Sequence, residues 1–315
     1  MEKEKQSAPR RDFLKAGALL TGGLLLDQFA FAAGHSGVND TIKIALIGCG
    51  DRGTGAAFQA LSTKSNLKLV AMADAFQDRM DQSYKLLSDK FKEKVDVPAD
   101  RRFVGFDGYK KAIALADVVL LATPPGFRPM HFEEAVDKGK HVFMEKPVAV
   151  DSPGIRKVLA AAEIAKKKKL NVVVGLQRRY QTNYRETMKR IQDGAIGDIV
   201  SGQVYWNSGG VWVKKRQPQQ TEMEYQMRNW YYFNWLCGDH IVEQHVHNID
   251  IANWAKNAYP TSIQGTGSRA WRTGKDYGEI YDNHAVELTY ADGAVIYSQC
   301  RHFEGISNRV DETFQ

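Results

Sequence analysis

The sequence predicts an α/β protein, with an N-terminal doubly wound parallel sheet and a C-terminal α+β lobe whose sheet is mainly antiparallel. From residue 41 onward, short apolar runs alternate with amphipathic stretches, the pattern of repeated strand–helix units. A glycine-rich turn joins the first strand to the first helix, and after residue 175 the sequence becomes polar and aromatic. Because 315 residues are enough for two cores, we expect one domain over residues 41–175 and another over residues 176–315.

Residues 1–33 have the features of an export signal. Arg10 and Arg11 precede an apolar stretch, residues 16–33, which ends in the small-x-small sequence of residues 30–32. This segment resembles a twin-arginine signal, and it is short for a membrane anchor. We therefore expect the twin-arginine translocase to export the folded chain to the periplasm. A cofactor loaded before export would then be tightly bound.

Composition excludes several function classes. The formal charge of +6 is a mild excess, and the sequence has no long basic arm and no nucleic-acid motif, so we expect no nucleic-acid partner. Cys49, Cys237 and Cys300 lack paired spacing and predict no disulfide framework. The basic run of residues 166–169 falls where a helix would end and is read as solvated.

The elements follow from the apolar pattern. Five buried strands of the first domain are predicted at residues 43–47, 67–73, 118–122, 141–144 and 171–174. Helices are predicted between them around residues 53–63, 77–93, 128–138 and 153–168. The second lobe is predicted to hold one helix near residues 239–255 and a hairpin with strands at residues 285–290 and 294–300.

The turn after the first strand reads Gly48-Cys49-Gly50-Asp51-Arg52-Gly53. A GxGxxG sequence between a strand and a helix places backbone N–H groups at a helix N-terminus, where the pyrophosphate of a dinucleotide binds in a Rossmann domain. Asp74, at the end of the next strand, is placed to reach the ribose hydroxyls of the adenosine. Its charge favours NAD, while Arg79 keeps NADP open. Cys49 is read as a small spacer. The predicted cofactor-binding residues here are Gly48, Gly50, Asp51, Arg52, Gly53 and Asp74.

Further motifs make the sequence similar to a known family. Thr123-Pro124-Pro125 follows one strand, His131 lies in the next helix, and Glu145-Lys146-Pro147 follows another strand. With the glycine turn, this order resembles the Gfo/Idh/MocA family of glucose–fructose oxidoreductase and inositol dehydrogenase. The resemblance implies that Lys146 lies beside the nicotinamide and the substrate. An ammonium at the carboxyl end of a parallel strand also faces the crevice where ligands bind. The added cofactor-binding predictions are Thr123, Pro124, His131, Glu145 and Lys146.

The second lobe supplies the remaining catalytic candidates. In the family, an Asp and a His four residues apart lie on one helix, with the His beside the reacting carbinol. The matching residues are Glu243 and His247, so Glu replaces the usual Asp. On a continuous helix, Glu243, His247, Asp250 and Trp254 share one face and His245 points away.

The histidines of this predicted helix do not have the spacing of a metal site. His240 shares the face of His247 but lies about 10 Å from it at 1.5 Å per residue, too far for two ligands of one ion. No metal site is therefore expected.

Four of the six tryptophans fall within residues 206–235. They are either core of the second lobe or an aromatic platform for a sugar, and the sequence leaves both open. The predicted substrate-binding residues are Arg178, Tyr180, Trp230, Asp239 and His240.

The combined expectation is hydride transfer between NAD(P) and the carbinol of a sugar, polyol or glycoside. His247 is the expected general acid–base, titrating near neutral pH, Glu243 orients it, and Lys146 supports the alkoxide. Two alternatives stay open: an NAD-dependent, redox-neutral glycoside hydrolase or lyase, and a nucleotide-binding protein without turnover. The resemblance also implies a homo-oligomer that associates through the second-lobe sheet. With few strands after the hairpin, either this lobe is small or its C-terminal part is missing.

Overall fold

The computed structural model describes residues 40–315. The predicted export signal lies outside these residues. Within them, no helix is both long and apolar enough to cross a bilayer.

The N-terminal domain is built on a six-stranded parallel sheet in the order β3-β2-β1-β4-β5-β6. Its strands are β1 Ile42–Ile47, β2 Leu67–Asp74, β3 Arg102–Val104, β4 Val118–Leu121, β5 His141–Met144 and β6 Val172–Val174. Its helices are α1 Asp51–Leu61, α2 Gln77–Phe91, α3 Gly108–Ala114, α4 Arg128–Asp137 and α5 Ser152–Lys167. The order reverses between β1 and β4, and ligands of such sheets bind outside this switch point.

The parallel sheet is stabilised by apolar strand residues that are buried on both of its faces. Two separate hydrophobic clusters, one around Ala45 and Ile47 and one around Leu46 and Leu69, cover its two faces. Strands buried on both faces read as continuous apolar runs, which is why five of the six were predicted. β3 was not predicted because it is a three-residue edge strand that begins with an arginine and is partly exposed.

The second lobe carries a five-stranded mixed sheet in the order β11-β7-β10-β9-β8. Its strands are β7 Ser201–Ser208, β8 Ser262–Ser268, β9 Asn283–Thr289, β10 Val295–His302 and β11 Arg309–Phe314. The predicted hairpin is confirmed as β9 and β10, and the sheet is antiparallel except where β10 pairs with β7. The other three strands were not predicted because their residues are mostly polar and one face of the sheet is exposed.

The helices of this lobe are α6 Thr182–Gln192, α7 Glu222–Arg228, α8 Asn234–Cys237, α9 Asp239–Glu243 and α10 Val246–Lys256. The single helix predicted near residues 239–255 is therefore wrong, because the chain breaks at Gln244 and His245. The Nε2 atom of His245 lies 2.7 Å from Oγ of Ser298 on β10, which holds the break against the sheet. The break ends α9 at Glu243.

Contacts between the domains hold the cleft in shape. The guanidinium of Arg228 donates two 3.0 Å hydrogen bonds to the carboxylate of Asp78 and lies over the ring of Phe76, 4.1 Å from its centroid. At Gly126 the backbones approach so closely that a Cβ would lie 2.2 Å from the carbonyl oxygen of Trp235. The carboxyl ends of the parallel strands thus face the helices of the second lobe.

Candidate active site

The glycine turn has the shape that a dinucleotide requires. Gly48 has φ +95°, and a Cβ there would lie 2.6 Å from the carbonyl carbon of Ala122. A Cβ on Gly53 would lie 1.8 Å from the carbonyl oxygen of Gly48. These two glycines therefore allow close packing of the turn, whereas Gly50, at the N-terminus of α1, faces open space with no atom within 4 Å of a Cβ. The turn fits a pyrophosphate against the helix N-terminus.

Gly50→Ala is expected to weaken NAD binding by at least tenfold while the fold stays intact. Gly50 has φ −71°, which alanine adopts freely, but the methyl group would occupy the open space in front of the helix. Calorimetry with NAD and thermal unfolding without nucleotide measure the two effects separately. Gly274→Ala is the control, because Gly274 has φ −63°, a Cβ there would make only ordinary contacts and the residue lies outside the turn. Unchanged NAD affinity in Gly50→Ala would contradict this placement of the phosphates.

Asp74 closes the turn from the end of β2. One carboxylate oxygen accepts a 2.6 Å hydrogen bond from the N–H of Cys49, and the other accepts a 2.9 Å bond from the N–H of Phe76. Burial raises the pKa of Asp74 above its ordinary value, although these hydrogen bonds and Arg79 oppose the shift. The carboxylate is thus fixed at the edge of the turn, where its remaining acceptor capacity can bind ribose hydroxyls.

Cys49 lies behind the turn. Its side chain is buried, and its sulfur lies 3.9 Å from that of Met80. Burial and the nearby Asp74 raise the pKa of the Cys49 thiol well above its ordinary value. A protonated, buried thiol is a poor nucleophile, which favours the spacer interpretation.

Arg128 organises the carboxyl ends of the central strands. Its guanidinium is fully buried and donates to the carbonyl oxygens of Leu121, Thr123 and Pro147, at 2.8, 2.7 and 3.0 Å. Burial lowers the pKa of Arg128 to about 10. The side chain therefore ties the strand end at Leu121 to the Glu145-Lys146-Pro147 turn. Sequence reasoning missed Arg128, and no motif pointed to it.

His131 is buried behind this turn. Its Nδ1 atom lies 3.2 Å from Oγ1 of Thr123. Burial, with help from the Arg128 cation, lowers the pKa of His131 to about 3, so the ring is neutral. It supports Thr123 rather than lining the cleft.

Lys146 and Glu243 meet across the cleft. The Nζ atom of Lys146 lies 2.8 Å from Oε1 of Glu243 and also donates to the carbonyl oxygen of Glu243, which is accessible because α9 ends there. Burial raises the pKa of Glu243, although the Lys146 ammonium opposes the shift. The other carboxylate oxygen, Oε2, is buried without a hydrogen-bond partner among residues 40–315. The pair fixes the ammonium and leaves one oxygen available.

A second ion pair borders the same opening. A guanidinium nitrogen of Arg52, at the start of α1, lies 2.5 Å from Oε1 of Glu145, at the end of β5. Arg52 is half-exposed while Glu145 is mostly buried. This pair joins the glycine turn to the Glu-Lys-Pro turn. Asp51 is almost fully exposed and lies 3.5 Å from Arg79.

His247 faces the cleft from the first turn of α10. Its ring lies 5.9 Å from that of Trp206, and its Nδ1 atom has no hydrogen-bond partner in the described part of the chain. Burial, together with the cations of Lys146 and Arg178, lowers the pKa of His247 to about 3. The near-neutral titration expected from the sequence is therefore wrong, because the ring is enclosed beside two cations. The side chain is a neutral imidazole.

The cleft itself is a cavity of about 720 Å³. It brings together residues predicted separately in the two domains, namely Arg52, Thr123, Glu145, Lys146, Tyr180, Trp230, Glu243 and His247. Trp206 and Gln244 also line it, although sequence reasoning did not single them out. The tryptophan cluster was a visible signal for Trp206. The two predicted catalytic regions therefore share one cavity.

Three of the predicted substrate-binding residues do not line this cavity. Arg178 is buried, pairs with Glu312 on β11 and lies 5.9 Å from the ring centroid of Trp206, so it backs the cleft wall. Asp239 and His240 are buried where α9 faces the sheet. Neither residue lines the cavity, and Asp239 contacts His240, His284 and Tyr281 instead, so their assignment to substrate contact stays a prediction. Pro124 is likewise outside the lining, which includes Pro125.

The parallel sheet, the glycine turn with its acidic partner, and the adjoining polar cavity define a dinucleotide-binding oxidoreductase of Rossmann type. The chain belongs to the Gfo/Idh/MocA family. Residues 42–176 match the model of the oxidoreductase family with an NAD-binding Rossmann fold, and residues 184–310 match the GFO/IDH/MocA C-terminal domain. The predicted family, fold class and NAD-binding domain are confirmed.

Curated relatives are similar over most of the chain. An inositol 2-dehydrogenase of Rhizobium meliloti is 25% identical over 86% of this chain and 72% of its own length. A glycosyl hydrolase family 109 protein of Shewanella baltica is 22% identical over 70% of this chain and 49% of its own length. The chain is thus shorter than both of these relatives.

Solved structures agree on the fold. The scyllo-inositol dehydrogenase of Lactobacillus casei, with bound NAD(H) and scyllo-inositol, aligns with a TM-score of 0.67 at 20% identity, over 87% of this chain and 74% of that one. An aldose–aldose oxidoreductase of Caulobacter crescentus aligns with a TM-score of 0.63 at 19% identity, over 84% of this chain and 71% of that one. Both domains of this chain therefore have structural counterparts.

Proposed function

We propose that this protein is an NAD-dependent oxidoreductase that acts on a secondary alcohol of a sugar, polyol or glycoside. The observation that carries the proposal is the convergence of Lys146, Glu243 and His247 in one cavity beside the glycine turn. The relatives named as inositol dehydrogenases support the substrate class. Aromatic and polar side chains in the same cavity suit a ligand with apolar C–H faces and many hydroxyls.

The residues that would hold the coenzyme are the backbone of the glycine turn, Asp74 at the ribose and the Thr123 and Glu145 turns. When bound, NAD accepts a hydride from the carbinol carbon or returns it. His247 lines the cavity, and its neutral ring offers a nitrogen as the acceptor for the hydroxyl proton. The ammonium of Lys146 donates a hydrogen bond to the same oxygen as it becomes an alkoxide. Glu243 holds that ammonium in place from two acceptor atoms.

Because burial and two nearby cations lower the pKa of His247 to about 3, its protonated form has to be stabilised during the reaction. Glu243 lines the same cavity, and its buried Oε2 atom has no hydrogen-bond partner among the described residues. Glu243 stands where the resemblance places an Asp, and its carboxylate lies 2.8 Å from the Lys146 ammonium. We infer that Glu243 acts by positioning and charge balance.

The redox-neutral glycosidase is the second candidate, and the family 109 glycosyl hydrolase relative supports it. Both candidates need the same coenzyme and the same proton acceptor. They differ in the net product. A tightly bound coenzyme that is reduced and reoxidised within one cycle would favour the glycosidase.

Mass spectrometry of nucleotide released from the denatured, full-length protein tests the shared part of the proposal. NAD is expected, and a protein that neither retains nor binds a nicotinamide dinucleotide would refute both candidates. A panel of inositols, free sugars and aryl glycosides then separates them. Steady NADH formation from a free polyol supports the dehydrogenase, whereas aryl-glycoside cleavage without net NADH supports the glycosidase.

Asp74→Ser is expected to reduce the preference for NAD over NADP by at least tenfold. The carboxylate repels a 2′-phosphate, and Arg79 nearby can pair with that phosphate once the carboxylate is removed. The ratio of the two dissociation constants measures the effect. Asp81→Ser on the exposed side of α2 is the control. A ratio that is equal in wild type and Asp74→Ser would contradict the ribose assignment.

We also propose export to the periplasm through the twin-arginine translocase, on the strength of Arg10, Arg11 and the apolar stretch after them. Fractionation of cells expressing the chain and its Arg10→Lys/Arg11→Lys variant tests this. Retention of the variant in the cytoplasm is expected, and equal export would refute the route.

We propose further that the exposed face of the second-lobe sheet associates with a second copy of the chain. Tyr297 on this face is 50% exposed, and its cross-strand neighbours Glu287 and Gln264 on the same face are also exposed. Sedimentation of wild type and Tyr297→Glu tests this. A dimer or tetramer that the substitution dissociates is expected.

A further inference from the structure

Behind the cleft, histidines and a carboxylate gather between α9 and the inner face of the second-lobe sheet. His240 comes from α9, His284 from β9 and Asp239 from the first position of α9. The donor atoms of these three residues all lie within 4.8 Å of one another. None of the three lines the catalytic cavity. This cluster could not be predicted from the sequence, because His284 is far along the chain from Asp239 and His240.

The polar atoms of this cluster are incompletely satisfied. The ring of His240 is fully buried, and its Nδ1 atom lies 2.8 Å from Oδ1 of Asp239, while its Nε2 atom has no hydrogen-bond partner among residues 40–315. Nε2 of His284 lies 3.3 Å from the same Oδ1 without the geometry of a hydrogen bond. Buried nitrogens without partners are costly, and they are unusual in native proteins.

Asp239 has no Lys or Arg partner in the described part of the chain. Its Oδ1 atom accepts a hydrogen bond from the backbone N–H of His240 and contacts the two imidazoles, and its Oδ2 atom accepts a 2.7 Å hydrogen bond from the N–H of Tyr281. Buried carboxylates are usually paired with a cation or bound to a metal ion. Two imidazoles and one carboxylate form a donor set for a divalent transition-metal ion.

We propose that Asp239, His240 and His284 bind one divalent transition-metal ion, with Zn²⁺ as the best match to this donor set. Ligand atoms at about 2.0–2.2 Å from a tetrahedral ion lie about 3.3–3.6 Å apart, so the present arrangement needs side-chain shifts of about 1 Å. The side chains of Asp239 and His284 are 12% and 14% exposed, which leaves a path for the ion and room for a water ligand.

The position of the site indicates what the ion would do. It would tie α9, which ends in Glu243, to β9 of the sheet. The ion is therefore structural, holding the helix whose last residue positions Lys146. His240 and His247, which their spacing in the sequence places too far apart to share one ion, lie in different sites, because His247 lines the catalytic cavity and His240 does not.

The first experiment uses the untagged, full-length protein after treatment with a chelator. Titration with Co²⁺ alone is expected to give a saturable visible ligand-field absorption at one ion per chain, and Zn²⁺ is expected to displace it. Zn²⁺ in excess is also expected to raise Tm by about 5 °C or more, because an ion that binds only the folded state stabilises it. Wild type that binds neither ion, or whose Tm does not change, overturns the proposal.

Variants locate the ion. His284→Ala and Asp239→Asn are expected to lose the Co²⁺ absorption and the Zn²⁺-dependent rise in Tm. His245→Ala is the matched control, because His245 is equally buried but contacts Ser298 and is not one of the three ligands. Loss of both signals in His245→Ala as well, or their retention in both ligand variants, would overturn the assignment. Since both readouts are independent of turnover, failure here and failure of the oxidoreductase proposal are distinguishable.

Discussion

Lys146→Ala is expected to lower kcat with the best alcohol substrate by about 10²–10³-fold, the range found when a single donor to a developing oxyanion is removed. Lys146 is the ammonium that Glu243 holds at the cavity. NAD affinity is expected to change by less than tenfold, because the phosphates and ribose bind elsewhere. Steady-state kinetics and calorimetry with NAD measure the two quantities.

The control for Lys146→Ala is Lys157→Ala, which removes an exposed lysine that pairs with Glu133 on the helical surface. Truncation of Lys146 also leaves the buried Glu243 carboxylate without its cation, so thermal unfolding has to be measured alongside. Lys146→Ala/Glu243→Gln removes the unpaired charge and is expected to recover stability but not kcat. Wild-type kcat in a folded Lys146→Ala protein would refute the catalytic role.

Acidification from pH 7 to pH 5 is expected to lower the free energy of unfolding by several kcal/mol. Burial lowers the pKa of His131, His245 and His247 to about 3 and that of His302 to about 2. In the unfolded chain these groups titrate near 6.5, so between pH 6.5 and 3 the unfolded state binds more protons. Each buried, neutral histidine makes its full contribution to the free energy of unfolding above about pH 6.5. That contribution decreases as the pH falls and is smaller by about 2 kcal/mol at pH 5.

Three carboxylates reduce this effect without reversing it. Burial raises the pKa of Asp74, Glu243 and Glu312, so those groups favour the folded state on acidification. Urea unfolding at fixed pH values between 7 and 5 measures the net slope. His245→Gln removes one of the four histidines. The slope of the free energy of unfolding against pH is therefore expected to decrease by the amount that corresponds to about one bound proton. A free energy of unfolding that is constant over this range would show that the histidines are accessible to solvent protons.

Local sequence patterns predicted most of the elements of the first domain. Each long strand was visible as an apolar run bounded by turn residues, and the glycine turn with Asp74 was visible because the chemistry lies within one strand–helix–strand unit. The second lobe was harder to predict. Its strands are half-exposed and polar, and the helix near residues 239–255 had no proline or glycine to mark its break.

The sequence by itself determined the parallel sheet and the coenzyme turn, because each depends on neighbours a few residues away, and its resemblance to a known family implied the candidates Lys146, Glu243 and His247. Only the tertiary structure decided that Lys146 is held by Glu243, that His247 is enclosed as a neutral ring and that His284 joins Asp239 and His240. Those outcomes depend on burial and on contacts between distant segments. A pKa, a hydrogen-bond partner and a ligand set are properties of the surrounding atoms, and folding alone brings those atoms together.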